Sequence, residues 1–356
     1  MQLSWETFTI HKRYALKISR GVTGQNTNVW VKVSADNITG MGESSVFSIV
    51  SESEKNTEVI IAELNRIAPL LERFHPLDRR SIEKILQDQS ISSNTRAGID
   101  VALQDWMGKR VGLPLWQMWG LDRKTIVPIS VTIGISSPRA AVERVEKWLE
   151  VAPFRLFKLK LGSPDGIEAD KEMFLAVRNF IPHLPLTVDA NGGWNLEESI
   201  EMCQWLAHRG VTYVEQPLGV GREKDLEVLY QRSPLPLFAD ESCFCGEDIP
   251  HLAPYVHGIN IKLMKAGGLG EVMRMIHIAQ ACNLKIMFGC YSDSSLANTA
   301  MSHLSPYADY LDLDSHLNLI DDPFQGVSLE EGRLLPGDLP GLGIKLKNDE
   351  DGISHL

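Results

Sequence analysis

Five short apolar runs decide the fold: Phe157-Lys158-Leu159-Lys160, Thr187-Val188-Asp189-Ala190-Asn191, Tyr213-Val214-Glu215-Gln216-Pro217, Phe238-Ala239-Asp240-Glu241-Ser242 and Asn260-Ile261-Lys262-Leu263-Met264-Lys265. With Lys160, Asp189, Glu215, Asp240 and Lys262 as markers, the intervals are 29, 26, 25 and 22 residues. Each interval has room for one strand, one helix and two loops, so the spacing predicts a repeat of βα units. In a closed parallel barrel the C-terminal ends of the strands meet on one rim. Three carboxylates and flanking lysines, far apart in sequence, would therefore converge on one small site.

Working outward, Ile126 to Gly134 reads as the first barrel strand and Pro138 to Leu149 as the helix after it. Leu284 to Gly289 and Tyr310 to Asp314 read as strands seven and eight, so the total is eight, as closure requires. Ahead of the repeats, residues 1–50 read as antiparallel strands: Leu3 to Ile10, Asn28 to Val33, and Thr39 to Glu43 after a turn at Asp36-Asn37. Leu16 to Gly24 is a polar, glycine-bearing connection, either a plain hairpin link or a lid. A helix is expected from Glu54 to Glu72, broken or kinked at Pro69, and a second from about Thr95 to Lys109. The resulting division is an α+β module over 1–122, a barrel over 123–319 and a segment over 320–356, rich in Pro and Gly, that either packs back on the module or trails off.

Composition narrows the function. A formal charge of −11 without clustered Lys and Arg argues against a nucleic-acid surface. Five cysteines with no CxxC spacing read as reduced thiols, and no apolar run approaches the ~20 residues of a membrane span, so a cytoplasmic protein is expected. Nothing in the sequence decides the oligomeric state, and a homo-oligomer stays open.

The rim residues point to one chemistry. Side chains alternate along a strand, so Lys158 and Lys160 should share a face, as should Asp312 and Asp314, whereas Lys262 and Lys265 should point oppositely. Asp189, Glu215 and Asp240 form a hard oxygen set suited to Mg²⁺. A divalent cation beside lysines suits removal of a proton α to a carboxylate, since the cation stabilises the charge that develops. For Lys160 to act as a base its pKa must fall toward neutral, and the neighbouring cations, Lys158 among them, would drive that shift. Lys160 and Lys262, on strands two and six, would approach the substrate carbon from opposite sides, which gives racemisation or epimerisation.

On these motifs, together with Ala266-Gly267-Gly268, the chain resembles the enolase superfamily, muconate lactonizing enzyme subgroup, over nearly its whole length. The resemblance implies a modified (β/α)8 barrel with a capping domain, Mg²⁺ on Asp189, Glu215 and Asp240, acid/base work by Lys160 and Lys262, and Lys158 as an electrostatic auxiliary. No His directly follows strand seven, unlike the mandelate racemase subgroup. The Asp312-Leu313-Asp314 triplet resembles that of dipeptide epimerases, where such a pair binds the substrate's free α-ammonium. Asp293 stands where the family usually has the glutamate of Glu-Ser-Ser, and Arg20 falls where some epimerases place an arginine toward an acidic side chain. An N-acylamino-acid racemase and an o-succinylbenzoate synthase-like lyase remain as alternatives, neither of which needs Asp312 and Asp314 to hold an ammonium, as does a non-catalytic metal-binding barrel, which has no need to retain both lysines.

Overall fold

The computed structural model describes residues 1–47 and 56–347. The expected helix start at Glu54 and the tail beyond residue 347 lie outside them.

Three antiparallel strands open the chain: β1 (Gln2–Ile18), β2 (Gly21–Ala35) and β3 (Ile38–Ser44). Asp36 and Asn37 turn β2 into β3 with φ of 51° and 60°, the left-handed pair that a two-residue hairpin needs. β1 and β2 run on well past the expected strand ends, so Leu16 to Gly24 is the tip of one long hairpin whose turn is Ser19-Arg20. That tip leans over the barrel, where Ile135 donates its N–H to the Lys17 carbonyl at 2.8 Å.

Helix α1 (Thr57–Leu71) is capped by the Asn56 side chain, which accepts from Val59 N. Pro69 neither breaks nor visibly divides it; the proline sits in the last turn, where only one backbone bond is forfeited. A helix not foreseen from sequence, α2 (Arg79–Asp88), precedes α3 (Ser93–Val111). β3 lies directly on α3 because glycines face it: a Cβ on Gly42 would fall 2.1 Å from the Gly98 carbonyl.

The barrel strands follow as β4 (Val131–Ile133), β5 (Phe157–Lys160), β6 (Leu186–Asp189), β7 (Val211–Glu215), β8 (Leu237–Ala239), β9 (Gly258–Lys262), β10 (Lys285–Gly289) and β11 (Tyr310–Asp312). They pair in parallel in sequence order, and a bridge between Ile129 and Leu311 joins the first strand's approach to the last. The first strand is shorter than the run expected from Ile126 because the chain first makes a 3-10 turn at Arg123–Thr125 and pairs only from Ile129 onward.

After β11 the chain returns to the N-terminal module. Phe324 packs edge-on against Phe8 and Trp30 at 5.3 and 5.4 Å, and Leu342 N donates to the buried Asp105 carboxylate at 2.8 Å. Among the described residues no helix is long and apolar enough to cross a membrane, and the five cysteines are unpaired.

Candidate active site

Three successive βα units each deliver a carboxylate to the barrel mouth. Asp189, Glu215 and Asp240 come from the ends of β6, β7 and β8; all are fully buried, and each offers an oxygen within 4.8 Å of the others. The turns that follow are tight: Asn191 and Gln216 adopt φ of 45° and 35°. Those turns bring supporting groups to the site. Asn191 N donates to Asp189 at 2.7 Å, Gln216 Oε1 accepts from Asp240 N at 2.9 Å, and Asn260 Nδ2 donates to Glu215 at 2.7 Å.

Four lysines neutralise these carboxylates. Lys160 Nζ is 2.5 Å from Asp189, Lys158 Nζ is 2.5 Å from Glu215 and 2.6 Å from Asp312, and Lys262 and Lys265 each lie 2.7 Å from Asp240. Lys265 was expected to point away from Lys262. The strand ends at Lys262 and a helical turn, Leu263–Ala266, swings Lys265 back beneath it, so the alternation of strand faces no longer applies.

The three carboxylates suit a hard cation. Burial and Asp189 push the Glu215 pKa up to about 7, although Lys158 opposes them. Burial works against the charged Asp240, but Lys262 and Lys265 outweigh it and hold its pKa far below the usual carboxylate range. Asn191 Oδ1 and Glu241 Oε2 are further buried oxygens beside the triad with no hydrogen-bond partner among the described residues. A donor set made only of oxygens, crowded enough to raise one member's pKa, fits Mg²⁺.

Direct contacts with the carboxylates set the direction of the lysine pKa values. Burial lowers Lys160, yet Asp189 and Glu215 outweigh it and leave it raised; for Lys262 the same contest, with Asp240 on the raising side, ends well above the ordinary lysine value. The reason is that each ammonium touches a carboxylate directly.

A cavity of about 230 Å³ opens beside Lys160 and runs to Asp312, Asp314, Tyr291 and Arg144. Asp312 accepts from Ser130 Oγ at 3.0 Å as well as from Lys158, while Asp314, past the end of β11, accepts from Thr132 N at 2.7 Å. Lys262 Nζ stands 4.7 Å over the Tyr291 ring. Arg20, at the hairpin tip, is committed to Glu241 at 2.5 Å, and its neighbour Ser19 donates to the Asn191 carbonyl at 3.0 Å. Asp293 is buried behind Tyr291, accepting from Ser45 Oγ at 2.5 Å and from Tyr291 N at 3.0 Å. Sequence reading overlooked Lys12, Arg144, Tyr291 and Asn260; of these only Asn260 carried a signal, its place two residues before Lys262 on the same strand face.

Residues 4–120 match the family described as Mandelate racemase / muconate lactonizing enzyme, N-terminal domain, and residues 140–350 match Enolase C-terminal domain-like. A protein of Flavobacteria bacterium (strain MS024-2A) named hydrophobic dipeptide epimerase is 41% identical over 355 residues, covering 98% of this chain and 99% of its own. One of Bacteroides thetaiotaomicron, named L-Ala-D/L-Glu epimerase, is 32% identical and spans 97% of this chain and 88% of its own. Among solved structures, the dipeptide epimerase from Enterococcus faecalis V583 complexed with Mg and dipeptide L-Leu-L-Tyr superposes with a TM-score of 0.89 at 27% identity, over 96% of this chain and 98% of that one.

Proposed function

The chain belongs to the mandelate racemase / muconate lactonizing enzyme family of the enolase superfamily, and from that footing we propose that it is a Mg²⁺-dependent dipeptide epimerase. The observation that carries the two-base reading is topological. Lys160 ends β5 and Lys262 ends β9, four strands apart in an eight-stranded barrel, so the two ammoniums face each other across the mouth with the carboxylate triad between them.

Asp189, Glu215 and Asp240 would hold the ion. When bound, Mg²⁺ supplies positive charge to the substrate carboxylate as the α-proton leaves. The substrate's C-terminal α-carbon lies between Lys160 and Lys262: one lysine removes the proton from one face, and the other returns a proton to the opposite face. Lys158, fixed between Glu215 and Asp312, places a permanent charge below Lys160 and favours its neutral form. Asp314, whose carboxylate accepts only from the Thr132 backbone N–H among the described residues, has capacity left for the free ammonium of the N-terminal residue. Arg20, outside the residues that line the chamber, tethers the hairpin tip to Glu241, so reading an acidic side chain with it would require that pair to open. Asp293 supports the chamber from behind, through its hydrogen bond to the cavity-lining Tyr291.

The deciding experiment is proton exchange in D₂O with L-Ala-L-Leu and Mg²⁺. Deuterium should enter the leucine α-position as the L,D epimer appears, and chelation should stop both. Turnover of N-succinylamino acids without turnover of any dipeptide would replace this reading with the N-acylamino-acid racemase one.

A further inference from the structure

The far wall of the cavity carries two cations that no part of the proposed chemistry uses. Lys12, from β1, donates to Ser292 Oγ, and Arg144 donates to Asn318 Oδ1 at 3.2 Å while stacking between the Tyr14 and Trp148 rings at 4.0 and 4.1 Å. Among the described residues neither has a carboxylate within ion-pair distance, although both line the cavity and are partly buried. An unpaired cation in such a place is costly unless something anionic compensates it. Burial lowers the Lys12 pKa to about 8, which still leaves it charged at pH 7, and Arg144 is charged throughout.

Lys12 feels Asp293 and then Asp314, Arg144 feels Asp314, and Asp314 is therefore the carboxylate they share. In the epimerase reading, on which this inference rests, Asp314 receives the substrate's α-ammonium. Once that pair forms, Arg144 loses the carboxylate that compensated it and Lys12 keeps only Asp293. The ammonium-bearing carbon also carries the N-terminal side chain, and in this reading that side chain extends within the cavity that Asp314, Lys12 and Arg144 line together. The wall is rigid: Asn318 accepts from Tyr14 N and donates to Tyr14 O, at 3.2 and 2.8 Å, which fixes the ring under Arg144.

We propose that Lys12 and Arg144 form an anion-preferring subsite for the N-terminal side chain, so that dipeptides beginning with Asp or Glu are favoured and those beginning with Lys or Arg are rejected. Repulsion between like charges at this range in a partly desolvated pocket supplies the rejection, and pairing with a carboxylate supplies the preference.

The test compares L-Glu-L-Leu with L-Lys-L-Leu, and L-Ala-L-Leu as reference, by α-proton exchange with Mg²⁺ present. The ratio of kcat/KM for the first over the second should be roughly tenfold or more, and carried mainly by KM. Arg144→Met and Lys12→Met should each lower that ratio, Arg144→Lys should retain most of it, and Lys12→Glu should shift it toward the lysyl substrate. Lys12, on β1, stacks on no ring among the described residues, and its variants keep the test decisive if Arg144→Met fails to fold. A ratio near one or reversed in the unaltered enzyme, or a ratio unmoved by both Met substitutions, overturns the proposal and leaves the epimerase reading standing. If none of the three dipeptides exchanges, the epimerase reading fails and the subsite falls with it.

Discussion

Lys262 and Lys265 hold the two oxygens of one carboxylate, Asp240, each at 2.7 Å. Their surroundings differ. Lys265 also donates to the carbonyls of Asp240 and Asn260 at 2.6 and 2.9 Å, whereas among the described residues Lys262 Nζ donates only to Asp240 and faces the Tyr291 ring. Lys265→Ala would strand a carboxylate oxygen and two carbonyls, at a cost of about 3–5 kcal/mol. Thermal unfolding should therefore show a large loss for Lys265→Ala and a much smaller one for Lys262→Ala, with the latter losing turnover instead. Equal melting of the two variants would contradict the division of labour.

In the two-base reading, Lys160 and Lys262, at the ends of β5 and β9, four strands apart, act on opposite faces, so their removal should cause opposite stereochemical lesions. Lys160→Ala and Lys262→Ala should both abolish epimerisation. Each should retain exchange of the α-proton in the one epimer whose proton faces the remaining lysine. Proton NMR of the L,L and L,D dipeptides in D₂O reads this directly, and equal exchange of both epimers in either variant would exclude two faces.

Strand ends were legible because two features coincide there: an apolar run that fills the barrel wall and, at its end, a polar group that only the mouth can accommodate. Asp189, Glu215 and Asp240 were found in this way, and the structure brings them together. Lys265 was misplaced because parity arguments hold only while the chain stays in a strand, and the strand stops at Lys262. Helix α2 escaped notice because its ten residues bury only Ile82 and Leu86, too short a stripe to show as a period. The Arg20–Glu241 pair and the stacking of Arg144 on Tyr14 join residues from different elements, and no local pattern encodes such partners.

Burial, then Asp312, push the Asp314 pKa up to about 6. Its carboxylate is thus charged above that pH and neutral below it. If it receives the substrate ammonium, kcat/KM for dipeptides should decline as pH falls through about 6, with KM carrying the change. Asp314→Asn should lose about 2–5 kcal/mol of binding at neutral pH and remove this limb of the profile. A wild-type profile whose limb persists in the variant would assign that limb to another group.

His303 joins three parts of the chain. Its Nδ1 accepts from Trp116 N at 3.2 Å, its Nε2 donates to the Leu342 carbonyl at 3.2 Å, and the ring is fully buried after the helix Ser295–Ser302. Accepting from Trp116 requires an unprotonated Nδ1, so the folded chain holds the neutral ring, and burial lowers its pKa from 6.5 to about 4. The unfolded chain binds a proton at higher pH than the folded one does. This contribution to stability is therefore complete above about pH 6.5 and is lost as pH falls toward 4, by an amount on the order of 3 kcal/mol. Unfolding in urea at pH 7 and pH 5 should show that decline. In His303→Gln, which lacks the titrating ring, the decline between the same two pH values should be shallower; an equal slope would mean that other groups carry the acid sensitivity.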